Sequence, residues 1–181
     1  MSRITLTNVY KELTKIGRDL QRRMRMELAA QGKAGGELDR SIRSYVIPRR
    51  GKGFTVEIAA ADYAKYVDQG VQGKFRNKDP RQAKSPYKFG TGTGNKGELT
   101  EAIRQWRERK GLKQWRDLKT GRYISYESQV LLIARAIYNR GLAPTYFIER
   151  PMKGMEKEMR KRLTAAYVKD IEAHLQKIAD Q

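Results

Sequence analysis

The sequence predicts an α+β fold, a small antiparallel sheet with an N-terminal helix and a long C-terminal helix packed on it. Three observations lead there. Val9, Leu13, Ile16, Leu20, Met24 and Leu28 recur at three- or four-residue steps, as do Met152, Met155, Met159, Leu163, Tyr167, Ile171, Leu175 and Ile178 near the other end. Between 42 and 58 the apolar period falls to two on either side of a Pro/Gly break. After a basic, glycine-rich stretch, further helical patterns follow, each stopped by glycine.

Composition sets the outer limits. A chain of 181 residues suits one domain and buries about 70% of its unfolded surface. With no cysteine there are neither disulfides nor thiolate metal sites. No apolar run approaches the ~20 residues of a membrane span, and the opening Met1-Ser2-Arg3-Ile4-Thr5 is not that of a signal peptide. These features predict a soluble product, made or assembled inside a cell. The formal charge of +19 points to a polyanionic partner: DNA, RNA or an acidic protein surface.

The first helix takes Thr7 as its N-cap and stops near Gly32. Lys11, Lys15, Arg18, Arg22 and Arg25 occupy its other faces; a solvated face is a commoner explanation of such a pattern than phosphate contact. The hairpin follows, Ile42, Ser44 and Val46 alternating with Arg43, Tyr45 and Ile47, then Phe54, Val56 and Ile58. Arg49, Arg50 and Lys52 make its tip cationic, and Glu57 is placed to pair with Arg43 across the strands.

Tyr63-Ala64-Lys65-Tyr66-Val67-Asp68-Gln69-Gly70 reads as one helical turn closed by a glycine with φ > 0. Tyr63, Tyr66 and Val67 share a face, and the expectation is two buried tyrosines plugging the space between hairpin and helix. From 72 to 97 apolar periodicity dissolves into a flexible basic loop carrying Lys74, Arg76, Lys78, Arg81 and Lys84. Its Gly90-Thr91-Gly92-Thr93-Gly94-Asn95-Lys96-Gly97 is not a phosphate loop, because Lys96 is followed by Gly97 and no buried strand precedes it.

A helical insertion, 98–141, comes next. Leu99, Ile103 and Trp106 mark a helix to about Lys110, Leu112, Trp115 and Leu118 a short turn, and Val130 to Tyr138 an apolar helix ended at Gly141. Thr145–Ile148 reads as a short strand, and Pro151 suits the first turn of the last helix. At 1.5 Å per residue that helix reaches roughly 40 Å, longer than one domain needs, so its surplus is expected against a neighbouring subunit.

The inventory for catalysis is thin. His174 is the one histidine and sits at a surface position of the last helix; no tight acidic cluster suited to a catalytic Mg²⁺ is visible. The expectation is a non-enzyme without cofactor or metal.

Leu38-Asp39-Arg40-Ser41-Ile42, the tyrosine turn 63–70, Ile103-Arg104-Gln105-Trp106 through Gly111, Ile133 to Gly141, and Pro144-Thr145-Tyr146-Phe147-Ile148 occur in an order that resembles the tail-completion proteins of long-tailed bacteriophages, the minor tail protein Z-like family. The chain departs from that family at Gln69, where an acidic residue often precedes the glycine, and at Tyr146, where a proline often precedes the phenylalanine. The resemblance implies one tail-completion-like domain over 1–181. It also implies a structural virion protein of the neck, assembled in the host cytoplasm and forming a ring, usually of six subunits. Such a ring completes the tail and joins it to the head around the DNA channel. Implied partners are further copies of the chain, a tail terminator or tail tube protein, a head-side connector or head completion protein, and genomic DNA touched without sequence preference. No membrane is implied. Tyr63, Tyr66, Val67, Gly70, Phe147 and Leu163 are then the expected core and turn residues. Arg49, Arg50, Lys52, Lys74, Arg76, Lys78, Arg81 and Lys84 are the expected contacts to partner or DNA. The rival reading is a free nucleic-acid-binding protein using non-specific phosphate contacts, supported by charge and by aromatic residues beside basic ones, as in Lys74-Phe75-Arg76.

Overall fold

A computed structural model describes residues 5–49, 53–91 and 97–180. The fold is α+β, and the chain packs as two compact units, Met1–Ala64 with Thr145–Gln181 and Lys65–Pro144. The basic stretch and helical insertion expected as decorations of one domain thus lie together in the second unit.

In the first unit, α1 (Thr7–Ala30) buries Ile16, Leu20, Met24 and Leu28, the stripe its spacing predicts. A short α2 (Glu37–Ser41) leads into β1 (Arg43–Arg49), which pairs antiparallel with β2 (Gly53–Ala59) in a register that sets Val46 opposite Val56. Gly17 lets α1 approach this hairpin: a Cβ there would stand 3.2 Å from the Ser44 Cβ. Glu57 faces Tyr45, not Arg43, and its carboxylate takes the Arg49 guanidinium at 2.6 Å. Arg43 instead donates to the carbonyls of Arg40 and Ile42, folding back on the turn it follows.

The long α6 (Glu149–Ala179) is 31 residues, about 46 Å. It runs antiparallel along α1: Arg150 pairs with Glu27, Glu158 with Arg23, Arg162 with Asp19 and Glu12, and Asp170 with Asn8. Met155 is fully buried with Ile16 and Leu20, while Ile58, Met159 and Leu163 pack around them.

Thr7 does not cap α1; it is the first helical residue, and no local side chain caps the helix. Asp170 does so from across the helix pair, accepting the amides of Asn8 at 2.8 Å and Val9 at 2.9 Å. Burial of that carboxylate opposes its ionisation, but those amide bonds, with one from the Asn8 side chain, outweigh burial and hold its pKa below the usual carboxylate range. Beyond Asp170 the register has run out of α1, and Ile171 to Ala179 extend past it.

Thr145–Ile148 is not a strand. Tyr146 has φ 53°, the only non-glycine positive φ among the described residues, and this reversal drops Phe147 into the core at 0% exposure. Proline, held near −65°, could not occupy that position.

The second unit contains α3 from Lys65 on (Ala64–Gln69), β3 (Val71–Gln72), a 3-10 turn (Pro80–Lys84), α4 (Glu98–Lys110), α5 (Tyr126–Arg140) and β4 (Gly141–Leu142). β3 pairs antiparallel with β4. α4 and α5 lie together through the Arg104–Glu127 ion pair at 3.1 Å and the Arg107 guanidinium 3.9 Å above the Tyr126 ring. Leu112 to Leu118 form no helical turn. The Asp117 carboxylate accepts the amides of Lys119 and Thr120, both at 2.8 Å, and the chain reverses so that Arg116 bridges Tyr123.

Candidate partner interface

The tyrosine turn presents a different face from the one its spacing suggests. Ala64, Asp68 and Gly70 are buried, Val67 is half-buried, and Tyr63 and Tyr66 remain 39% and 38% exposed. Gly70 has the expected positive φ, 73°, and a Cβ there would meet the Leu142 carbonyl oxygen at 2.6 Å. So close a backbone crossing pulls the small residues of α3 inward and leaves the bulky rings at the rim. Tyr66 stacks edge-on against Tyr87 at 4.6 Å.

The described part of 72–97 is not the loosely held loop its composition suggests. An α-helix ends with carbonyls lacking intrahelical partners, and residues 74–78 supply them for α5. The Lys74 amide donates to the Tyr138 carbonyl at 3.0 Å, Phe75 and Arg76 to that of Asn139, and Lys78 to that of Arg140 at 2.8 Å. Gln82, wholly buried, holds the unit together. Its amide nitrogen donates to the Val71 carbonyl at 2.7 Å and the Arg140 carbonyl at 3.2 Å, while its oxygen accepts the Asp79 amide at 2.6 Å. Ser85 Oγ donates to the Gly70 carbonyl at 2.8 Å. Residues 92–96 of the glycine-rich run lie outside the described residues.

This backbone frame sets five of the expected cations on one unit. Lys74, Arg76 and Lys78 are exposed, with main chains fixed at the C-terminus of α5, where the helix dipole favours positive charge. The Lys74 ammonium lies 5.5 Å from the Phe75 ring centre and 5.6 Å from that of Tyr138. Phe75 itself is 75% exposed, an apolar ring set among cations. Arg81 is clamped by the Asp79 carboxylate, whose pKa its side-chain hydrogen bond pulls down to about 2. Lys84 is exposed at the end of the 3-10 turn. Lys88, exposed and bridged to Gln72, joins this surface, as does the exposed Arg140. Neither was legible, since the contacts that bring them in are backbone bonds between distant segments.

Arg49 belongs to the hairpin unit and spends its charge on Glu57; Arg50 and Lys52 lie outside the described residues. Of the expected core residues, Phe147 is fully buried and Leu163 half-buried in the helix pair. Among the described residues no group of three or more His, Asp or Glu could hold a metal ion, and no helix is long and apolar enough to cross a membrane. The arrangement supplies a fixed cationic surface with an exposed aromatic ring, chemistry for docking on carboxylates or phosphates. Comparison with protein-family models, curated proteins and solved structures returns no match.

Proposed function

We propose that the chain is a non-catalytic structural protein of a bacteriophage neck, forming a ring that completes the tail and joins it to the head connector around the DNA channel. The observation that carries this reading is α6. It continues past the last residue of α1 it can pair with and leaves Leu175 and Ile178 more than half exposed, with Tyr167 and Val168 nearly so. An apolar helix end of that kind calls for a neighbouring subunit. The order of short motifs resembling tail-completion proteins points the same way. In this reading the cationic surface of Lys74, Arg76, Lys78 and Lys84 docks on acidic tail or head-side neighbours.

A specific observation favours a second reading. Phe75 stands exposed between Lys74 and Arg76, the pairing of ring and cation on which unstacked bases rest in non-specific nucleic-acid binders. One experiment separates the two. Replacing Lys74, Arg76 and Lys78 together by alanine during infection is expected to leave a folded protein and give unjoined heads and tails in electron micrographs. Parental numbers of infectious particles would overturn the junction role of this surface. A fall in duplex affinity that salt reproduces in the parent, with particles normal, would favour the nucleic-acid reading.

A further inference from the structure

The far end of α6 has a counterpart on the same unit. An open groove of about 420 Å³ runs along α1, lined by Arg18, Arg22, Arg25, Met26 and Ala29 of that helix and by Asp39. Arginines at i, i+4 and i+7 share one helix face. Their charge is incompletely answered. Arg22 is 3.5 Å from Asp19, and Arg25 donates Nη2 to the Ile42 carbonyl at 3.2 Å while its Nε, buried without a hydrogen-bond partner, is 3.8 Å from the Asp39 carboxylate. Arg18 has no ion pair among the described residues. Met26 is 62% exposed in the groove.

The overhang complements it in charge, apolarity and length. Ile171 to Asp180 carry Glu172 and Asp180 against the single cation Lys177, a net negative segment in a chain of net charge +19. Tyr167, Ile171, Leu175 and Ile178 form one stripe by helical spacing, with Glu172 and Lys177 on its opposite flanks. The nine residues Ile171–Ala179 span about 13 Å, against about 16 Å from Arg18 to Ala29. Within one copy the two cannot meet. Asp170 is bonded to Asn8 in the first turn of α1, so the overhang leads away from residues 18–29.

We infer that the α6 overhang of one copy docks in the α1 groove of the next, Leu175 and Ile178 covering Met26 and Ala29 while Glu172 meets the arginines. This rests on the ring proposed above and names the contact that builds it. Two different patches meet at such a contact, so it repeats head to tail and closes into a ring when the rotation allows. Charge steers the register and apolar burial supplies the affinity.

The absence of cysteine makes the test clean. Full-length Leu175→Cys and Met26→Cys variants, mixed and oxidised, are expected to give a cross-linked pair at least tenfold above either variant alone, and a chain carrying both changes should give a ladder. Adding Ile178→Asp to that doubly changed chain should abolish the ladder with the circular dichroism unchanged, because that side chain is exposed. Self-linking of Leu175→Cys in excess of the mixed pair would overturn the inference in favour of a symmetric helix contact. A light-scattering mass showing a ring without mixed cross-links would overturn it too, and would leave the neck reading standing. Mixed cross-links with normal particles from the Lys74, Arg76, Lys78 variant would support the contact while removing that surface from the junction.

Discussion

The two units of this chain are held together by different physics. In the helix–hairpin unit an apolar stripe on α1 meets Met155, Met159 and Leu163 on α6, and ion pairs along the seam set the register. In the unit built on Gln82 the buried groups include polar ones, Gln82, Ser85 and Gln129, and segments are joined by side chains bonding to backbone. A core of the first kind tolerates changes that keep volume, because apolar burial is non-directional. The second depends on direction and close approach, so one misplaced atom leaves buried carbonyls without donors.

The sharpest way to break the comparison is Gly141→Val. Gly141 has φ 73°, and a Cβ there would fall on the Val71 carbonyl oxygen and the Gln82 amide. The expected cost is about 4 kcal/mol, confined to the Gln82 unit. Amide exchange should show Lys74, Arg76 and Lys78 losing protection while the α1 amides keep theirs. Equal loss in both units would mean they unfold as one.

Next in size is Met155→Ala, which removes a fully buried side chain and is expected to cost about 3 kcal/mol. Leu163→Asp should cost less, about 2 kcal/mol, because a half-buried carboxylate keeps access to water. A reversed order in urea unfolding would move the centre of that core toward Leu163.

Gln82→Ala is expected to cost about 2 kcal/mol, since it takes a buried partner from the Val71 carbonyl and the Asp79 amide and leaves the Arg140 carbonyl to Lys78 alone. A change below about 0.5 kcal/mol would put the strength of that unit in β3–β4 and not in the glutamine.

The smallest effect is expected at Asp170→Asn, about 1 kcal/mol for a weakened helix cap. Because the folded pKa of Asp170 is lowered, its contribution is complete above the unfolded value near 4 and is lost as pH falls through the folded value. Melting temperatures between pH 7 and pH 3 should therefore fall less steeply for the variant. An identical slope would mean the cap works equally well protonated.

How legible each unit was follows from the same contrast. The stripes from Val9 to Leu28 and Met152 to Leu163, the alternation of the hairpin and the glycine stops at Gly111 and Gly141 are periodic signals, and the elements they predict are present. A side chain that caps a helix 162 residues away, as Asp170 does for Asn8, has no local signature. The same holds for Gln82, which sits in a run whose charge and glycine content describe a loop. The tyrosine turn misled for a related reason. Spacing puts Tyr63, Tyr66 and Val67 on one face, but which face turns inward was decided by Gly70 against Leu142. Of the candidate interface, Lys74, Arg76 and Lys78 were visible as charge, while the frame that fixes them belongs to the end of α5.

The proposed neck role stands or falls on assembly. Light scattering coupled to size exclusion, with electron microscopy of the same fractions, measures it on the full chain of 20.9 kDa. The expected result is one discrete species with the mass of a closed ring, showing no preference among duplex sequences. A monomer or dimer at every concentration, with tight binding to one defined duplex, would contradict it.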